Sequence, residues 1–583
     1  MTFNDAALTF IQTARDNGLL FGGSDVPATV DRVDEHSKSY HVRGSLFHVA
    51  PHYEVLNAIG HGAYGVVCAA VDLRLVPTSI YYNSIMRTIE EEGRIVSRRR
   101  SGSGAPVYFR TRALLTDAEP GRPVRVPHLC SEPFKRRTLS RGEASPFVAI
   151  KKVTKVFDDL VDGRRILREV KVLRHLQGHP NIVRLMEVRR PPVAAGAPST
   201  SSASASFDDI YMVTELMDTD LAALLKSSQE IHLEQLRFVA YQLIKALVYV
   251  HSSGVIHRDL KPGNILLNGN CDMKLCDFGL SRGGVPAWPH EHALGAVAAA
   301  AGASAEEADE WGRFCWSSAA TAGAPHAAKA APLYSLTDYV VTRYYRAPEL
   351  LIMGRYNHAI DMWSVGCILA EMLLRRPLFA GANYLSQLTL MLETPGLRGV
   401  PQTPEQVEAL FDGGEEGKHF IKDLLFFNDA VRGRGQRVAR SQVHSQVLFH
   451  SALFGSDVNI PISLGILVAK LLSFDPRQRP TAVEALRDPF FRPLYDARDE
   501  VLRCTAADGE WAATREAIAD IAAYQRASPC VIVEESAPFT WEFDHRITDA
   551  AALRGLFEEE CCISRDEQRQ LHRQRPPCPS SPA

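Results

Sequence analysis

Residues 257–279 constrain this chain more than any other stretch. They read His257-Arg258-Asp259-Leu260-Lys261-Pro262-Gly263-Asn264, then a short apolar hairpin, then Cys276-Asp277-Phe278-Gly279. Phosphoryl transfer from a nucleotide needs a carboxylate that orients a substrate hydroxyl and accepts its proton. It also needs oxygen ligands for Mg2+ on the phosphates and a cation near the migrating group. Asp259 suits the first role, Asn264 and Asp277 the second, and Lys261 the third. So many chemically matched positions in one run rarely arise by chance.

The remaining nucleotide-site signals lie upstream. Ile59-Gly60-His61-Gly62-Ala63-Tyr64-Gly65-Val66-Val67 reads as strand, tight turn, strand. Glycines at Gly60, Gly62 and Gly65 would let backbone amides approach phosphate oxygens, with Ile59 and Val67 flanking the base. Alone, G-x-G-x-x-G is weak, because hairpin turns and dinucleotide sites share it. A dinucleotide fold would enter a helix at once, whereas Val66 to Val71 continues as a strand. Val148-Ala149-Ile150-Lys151 follows, an apolar strand ending in a lysine suited to the α- and β-phosphates. An isolated strand lysine is usually a solvated edge residue, so Lys151 gains its meaning from what comes next.

Between Asp162 and Leu176, Ile166, Leu167, Val170, Leu173 and Leu176 recur at helical spacing, predicting one buried stripe. Glu169 flanks it and is the expected ion-pair partner of Lys151; the competing reading pairs Glu169 with Arg165 one turn earlier. Ile210 to Met217 reads as an apolar strand running into a connector, whose backbone near Glu215 and Met217 is the expected adenine contact. Asp220 suits either a ribose hydroxyl or the cap of the helix that starts at Leu221.

These motifs together resemble the protein kinases, and within them the mitogen-activated protein kinases of the extracellular-signal-regulated type. Val42-Arg43-Gly44 to Gly65 resembles that family's leading strand and glycine loop. Asp277-Phe278-Gly279-Leu280-Ser281-Arg282 resembles its metal-binding turn, and Leu336-Thr337-Asp338-Tyr339 through Arg343-Tyr344-Tyr345-Arg346-Ala347-Pro348-Glu349 its activation lip. The likeness covers most of residues 42–560, with interruptions. Asp338 makes this a Thr-Asp-Tyr variant; Tyr344 stands where Trp is usual and Ser281 where Ala is usual.

The resemblance implies an ATP- and Mg2+-dependent serine/threonine kinase that prefers Ser or Thr followed by Pro. It implies activation by phosphorylation of Thr337 and Tyr339, with Arg168, Arg258 and Arg282 meeting the first phosphate and Arg343 and Arg346 the second. It also implies a buried Glu349–Arg479 pair beneath the lip, beside the long apolar helix that begins at Asp361. Leu494 to Glu500 resembles the family's acidic docking site, with Asp496 and Asp499 receiving basic-apolar peptides from activators, substrates and phosphatases. In an arbitrary chain such a cluster is more often a solvated face.

At 583 residues the chain is long enough for several ordinary domains, but the motif order assigns nearly all of it to one two-lobed catalytic unit. The expected fold is α+β: a small antiparallel β-sheet lobe with a control helix, and a large mainly helical lobe. Residues 1–41 are an extension with one short amphipathic helix around Ala6 to Leu20. The small lobe spans 42–216 with an insert at about 76–146, and the large lobe 217–500 with a lip insert at about 283–332. Residues 501–563 pack back on the small lobe, through Pro538 to Phe543 and a helix through Ala551, Leu553, Leu556 and Phe557, and 564–583 form a disordered tail.

The first insert is rich in Arg, notably Arg98-Arg99-Arg100, which suits either an unstructured loop or a patch recruiting acidic partners. Arg190 to Ser206 reads as a linker, and Ala296 to Arg313 has helix-forming composition. A net charge of −3 gives no global case for nucleic acid or membrane binding. Eleven scattered cysteines suit a reducing cytosol, and the chain shows no signal leader or spanning run. The expected molecule is a monomer in the cytoplasm, with the nucleus as a second address, activated by an upstream dual-specificity kinase. Two rival readings remain: a related proline-directed kinase independent of lip phosphorylation, and a pseudokinase scaffold. The second usually lacks Lys151, Asp259 or Asp277, all present here.

Overall fold

The strand signals between Thr29 and Glu215 assemble into two antiparallel sheets. A computed structural model describes residues 29–33, 37–62, 65–74, 147–191, 207–283, 343–354, 356–411, 413–427, 460–495 and 539–573. The helices expected at Ala6–Leu20 and Ala296–Arg313 lie outside these residues, as do nearly all of the three inserted segments. The chain divides into two compact units. One comprises residues 1–219, 266–272 and 541–583, the other 220–265 and 273–540.

In the first unit, β1 (Thr29–Val33), β2 (Lys38–Val42) and β3 (Ser45–Val49) form a three-stranded sheet. The first of these strands and most of the second fall within residues 1–41, read from the sequence as an extension. In the second strand Tyr40 and Val42 flank the exposed His41, and the inward face of the sheet buries Tyr40, Val42 and Phe47. Five further strands, β4 (Tyr53–Gly62), β5 (Gly65–Asp72), β6 (Phe147–Val153), β7 (Leu185–Arg189) and β8 (Ile210–Glu215), pair antiparallel in the order β4-β5-β6-β8-β7. The β5–β6 register runs unbroken from Gly65↔Val153 to Val71↔Phe147, although residues 75–146 separate them in sequence. Phe47 meets Tyr211 edge-on at 6.1 Å, and Lys152 Nζ donates to the Leu46 carbonyl at 2.7 Å, so the two sheets share one core.

Helix α1 (Leu160–His175) begins at Asp159, whose carboxylate accepts the Val161 amide. Its expected stripe of Ile166, Leu167, Val170 and Leu173 is buried. Gly163 is required by packing, since a Cβ there would stand 2.4 Å from Leu553 Cδ2 and 2.6 Å from the Val156 carbonyl.

The second unit is mainly helical. Helix α2 (Leu233–Ser252), α3 (Ala359–Leu374) and α4 (Ile462–Leu471) carry its core. Helix α3 is apolar nearly all round and correspondingly buried, with Gly366 letting Leu472 approach. No helix among the described residues is long and apolar enough to cross a membrane.

The chain then returns to the first unit as α5 (Ala550–Arg573), which packs Leu553, Leu556 and Phe557 inward. Glu560, 1% exposed, accepts Lys171 and Arg174 of α1 at 2.7 Å each. Ser564 Oγ accepts from Arg174 and from the Val188 amide. The helix continues well past residue 563, where a disordered tail was expected. Ser564 to Arg573 contains good helix formers and neither Gly nor Pro; Pro576 and Pro577 follow.

Candidate active site

The residues singled out for nucleotide chemistry fall in both units. In the first, the β4–β5 hairpin pairs Gly60 with Val67 and Gly62 with Gly65. Gly65 has a backbone demand that only glycine meets: its φ is +145°, and a Cβ would sit 1.8 Å from the Lys152 carbonyl oxygen. Ile59 and Val67 stand on the two strands of this hairpin.

Lys151, on β6, reaches Glu169 on α1: Nζ lies 2.7 Å from Oε2, with the carboxylate side chain 8% exposed. Arg165 pairs with Asp162 instead, so the local alternative for Glu169 is not the arrangement adopted. At the end of β8 the Glu215 carboxylate accepts the Arg184 amide at 2.7 Å and its own amide donates back to the Arg184 carbonyl, fixing the connector that continues to the buried Met217. Asp220 caps the short helix Leu221–Lys226 through a 2.8 Å bond from the Ala223 amide, the second of its two sequence readings.

In the second unit, the catalytic-loop residues draw together. Lys261 Nζ lies 2.5 Å from Asp259 Oδ2. Asn264, on a 3-10 turn opened by Pro262, donates its amide to the Asp259 carbonyl at 2.8 Å. Burial pushes the Asp259 carboxyl up from its ordinary value, against the opposing pull of Lys261. For Lys261, burial works against the charge, yet the Asp259 carboxylate outweighs it and the ammonium pKa is raised. The Asn264 nitrogen is thus committed to Asp259, which leaves its carbonyl oxygen, with the Asp277 carboxylate, as hard oxygen donors of the kind Mg2+ takes. Asp277 sits at φ +63° immediately before the fully buried Phe278.

His257 links these segments. Its Nδ1 accepts the Asp259 amide at 3.3 Å and its Nε2 donates to the Cys276 carbonyl at 3.0 Å, with the ring 4.8 Å from that of Phe278. Beneath it, Asp361 on α3 is wholly buried and accepts the backbone amides of His257 and Arg258 at 2.9 Å each. Burial would raise the Asp361 carboxyl, but the bonds it receives, first from His251, hold it below its usual range. Asp361 was read from sequence only as the start of an apolar helix, because its partners lie a hundred residues away.

At the base of the lip, Arg479 grips Glu349 with both guanidinium nitrogens, at 2.5 and 2.9 Å, and neither side chain is more than 2% exposed. Arg343 donates to the Ala382 carbonyl at 2.8 Å and lies over the Tyr384 ring, and Arg346 closes the same turn through its backbone. Arg258 donates to the Leu280 carbonyl and lies over Tyr356, while Arg282 donates to the Ser281 carbonyl. In the first unit Arg168, 4% exposed, pairs with Asp544 at 3.0 Å. Sequence reasoning missed Asp544; a lone acid far along the chain carries no local signal. Thr337, Tyr339, Asp496 and Asp499 lie outside the described residues.

Comparison with known proteins agrees with this chemistry. Residues 138–295 and 325–491 match the family description "Protein kinase domain". That match begins just before β6, so β4 and β5, which pair onto it, lie outside it. The chain is 36% identical over 359 residues to mitogen-activated protein kinase 3 of Arabidopsis thaliana, covering 61% of this chain and 74% of the relative. It is similarly 36% identical over 360 residues to mitogen-activated protein kinase 1 of rice, covering 62% and 69%. Mitogen-activated protein kinase 4 of Arabidopsis thaliana matches at 31% over 485 residues, 82% of this chain and 88% of the relative.

Proposed function

Because the chain belongs to the mitogen-activated protein kinases, and is an ATP-dependent serine/threonine protein kinase, we propose that it modifies Ser or Thr followed by Pro and is switched on by phosphorylation of both Thr337 and Tyr339. The assembled Asp259–Lys261–Asn264 group carries the catalytic part of this reading.

In that mechanism Asp259 orients the acceptor hydroxyl and takes its proton as the oxygen attacks the γ-phosphorus. Burial raises the Asp259 pKa, which suits a proton acceptor. Lys261 balances charge on the transferring group, and Lys151, aimed by Glu169, grips the α- and β-phosphates. Asn264 and Asp277 would hold Mg2+, which would supply positive charge to offset the negative charge developing on the phosphates. Ile59, Gly60, Gly62, Gly65 and Val67 would cover the nucleotide, and the backbone at Glu215 and Met217 would read the adenine edge. The capping bond at Asp220 argues for a structural role there over ribose binding.

The lip phosphates are proposed to act through waiting cations. Arg343 and Arg346 stand on the segment following Tyr339, fixed below by Glu349 and Arg479. Arg168 is already paired with Asp544, so a phosphate on Thr337 has to take it from that carboxylate. The proposed partners are an upstream dual-specificity kinase, and substrates and phosphatases whose basic-apolar peptides reach Asp496 and Asp499. A monomer in the cytoplasm and nucleus completes the reading.

The test compares turnover of wild type, Thr337→Ala and Tyr339→Phe after treatment with an activating kinase. Loss of most activity in both variants is expected. Full activity in both would remove the switch and leave a kinase independent of lip phosphorylation.

A further inference from the structure

Four residues after Tyr339 the chain enters a 3-10 turn, Arg343–Tyr345, and each residue of that turn is fastened to the second unit. Arg343 donates to the Ala382 carbonyl at 2.8 Å and lies over the Tyr384 ring, 5.5 Å from its centre. The Tyr344 carbonyl accepts Nε2 of Gln387 at 3.3 Å. The Tyr345 hydroxyl donates to Glu371 at 2.6 Å, and its carbonyl accepts Ser364 Oγ at 2.7 Å. Arg346 closes the turn, its amide donating to the Arg343 carbonyl at 3.2 Å.

Gln387 lies in the helix Tyr384–Leu392, wholly buried on the same face as Leu388 and Met391. A primary amide taken out of water is costly unless its polar groups are paired. Here Oε1 accepts the Gly381 amide at 2.8 Å while Nε2 reaches Tyr344. The amide cannot be turned round, because an N–H group faces one end and a carbonyl the other. Gly381 is required for this contact: a Cβ there would stand 2.5 Å from the Gln387 backbone nitrogen and 2.6 Å from Oε1. Asn383 fixes the same segment, its side chain accepting the Ser386 amide at 2.8 Å while its own amide donates to Ser386 Oγ at 2.9 Å. Residues 381–387 thus form a firm seat, and Gln387 is the side chain that joins this seat to the middle residue of the turn.

A phosphate orders a loop where cations are waiting for it, and a cation fixed in advance loses less freedom on meeting it. Arg343 and Arg346 are the cations proposed for a phosphate on Tyr339, and in sequence they stand on either side of the carbonyl that Gln387 holds. We propose that Gln387 is a positioning residue for the lip switch: by holding the Tyr344 carbonyl it sets the direction from which Arg343 and Arg346 meet the phosphate on Tyr339. It touches neither phosphate nor substrate and acts through the turn. The inference rests on activation by both phosphates, so wild type carries the test of that reading.

Full-length wild type, Gln387→Leu and Gln387→Glu are phosphorylated on Thr337 and Tyr339 by an activating kinase, with the stoichiometry checked by mass spectrometry. Half of each sample is then stripped of phosphotyrosine by a tyrosine-specific phosphatase. Turnover of a Ser-Pro peptide is measured in both halves, and the ratio of the two rates is the readout. Both halves come from one preparation, so a loss of fold alone lowers both rates and leaves the ratio unchanged. In Gln387→Leu the ratio should fall roughly 10-fold toward unity, the scale of a small misplacement of a charged group. Gln387→Glu keeps an oxygen for the Gly381 amide but has no N–H for the Tyr344 carbonyl, so its ratio should fall as far. A wild-type ratio in Gln387→Leu overturns the inference, as does one in Gln387→Glu, which would give the Gly381 bond the whole effect. Should Gln387→Leu not fold, Gln387→Met takes its place and is read in the same way. If wild type loses no rate when phosphotyrosine is removed, the two-phosphate reading falls and the inference with it. If wild type loses rate and the Gln387 variants lose as much, only the inference falls.

Discussion

Glu349→Gln is expected to destabilise the second unit by about 3 kcal/mol, from the lower end of the range for breaking a buried ion pair. The substitution keeps the side chain's shape but removes its charge and turns an amide N–H toward the Arg479 guanidinium. Arg479 is fully buried, so its charge cannot be hydrated where it stands. It would keep its bonds to the carbonyls of Ser473, Ala359 and Phe474 at 2.7, 3.1 and 3.2 Å, and these keep the cost near the low end. For a unit of this size, about 3 kcal/mol corresponds to a Tm lower by roughly 6–12 °C. Differential scanning calorimetry reads the shift directly. Replacing both partners, Glu349→Leu with Arg479→Met, removes the orphaned charge and should recover most of the loss. A single variant that melts within about 2 °C of wild type, or a double variant less stable than the single one, would refute the reasoning.

Two other perturbations follow from the same geometry. If a phosphate on Thr337 recruits Arg168 as proposed, Asp544→Asn removes the carboxylate now paired with that arginine. A pair of this kind is worth about 0.5–1 kcal/mol after allowing for solvent screening, so protein phosphorylated only on Thr337 should gain about two- to fivefold in peptide turnover; no gain would mean Asp544 does not compete. Replacing residues 76–145 by a short Gly-Ser turn should leave folding and turnover intact, because β5 and β6 pair in full register across that segment. Loop closure changes stability by no more than about 2 kcal/mol over such a change in length, and a variant that fails to fold in a thermal melt would show that the segment supports the sheet.

Much of the catalytic arrangement was readable because its residues lie at short, fixed spacings. Asp259, Lys261 and Asn264 share one turn, so their convergence follows from local backbone geometry. Lys151 and Glu169 could be paired across one strand–helix connection, since the stripe of α1 fixes which way Glu169 faces. The Glu349–Arg479 contact was legible only through resemblance to a family, because nothing local joins residues so far apart. His251, Asp361 and Asp544 were not legible. Each acts through a long-range contact, and a buried polar residue in an apolar helix has no periodic signature. Of the strands at 29–42, only the second carried a signal, Tyr40 and Val42 about His41, while the adjacent Asp31 and Arg32 break any alternation in the first. The extension of α5 to Arg573 was likewise visible as a run free of Gly and Pro, but its polar composition reads equally as a solvated tail.

Transfer of the ATP γ-phosphoryl group to a Ser-Pro peptide, measured for wild type and Asp259→Asn alongside the Kd of each for ATP, tests the central claim most directly. With Asp259 as the residue that orients the hydroxyl and takes its proton, the variant should bind ATP within about threefold of wild type yet lose at least roughly 100-fold in turnover. Turnover within about tenfold of wild type, with ATP bound normally, would contradict the account.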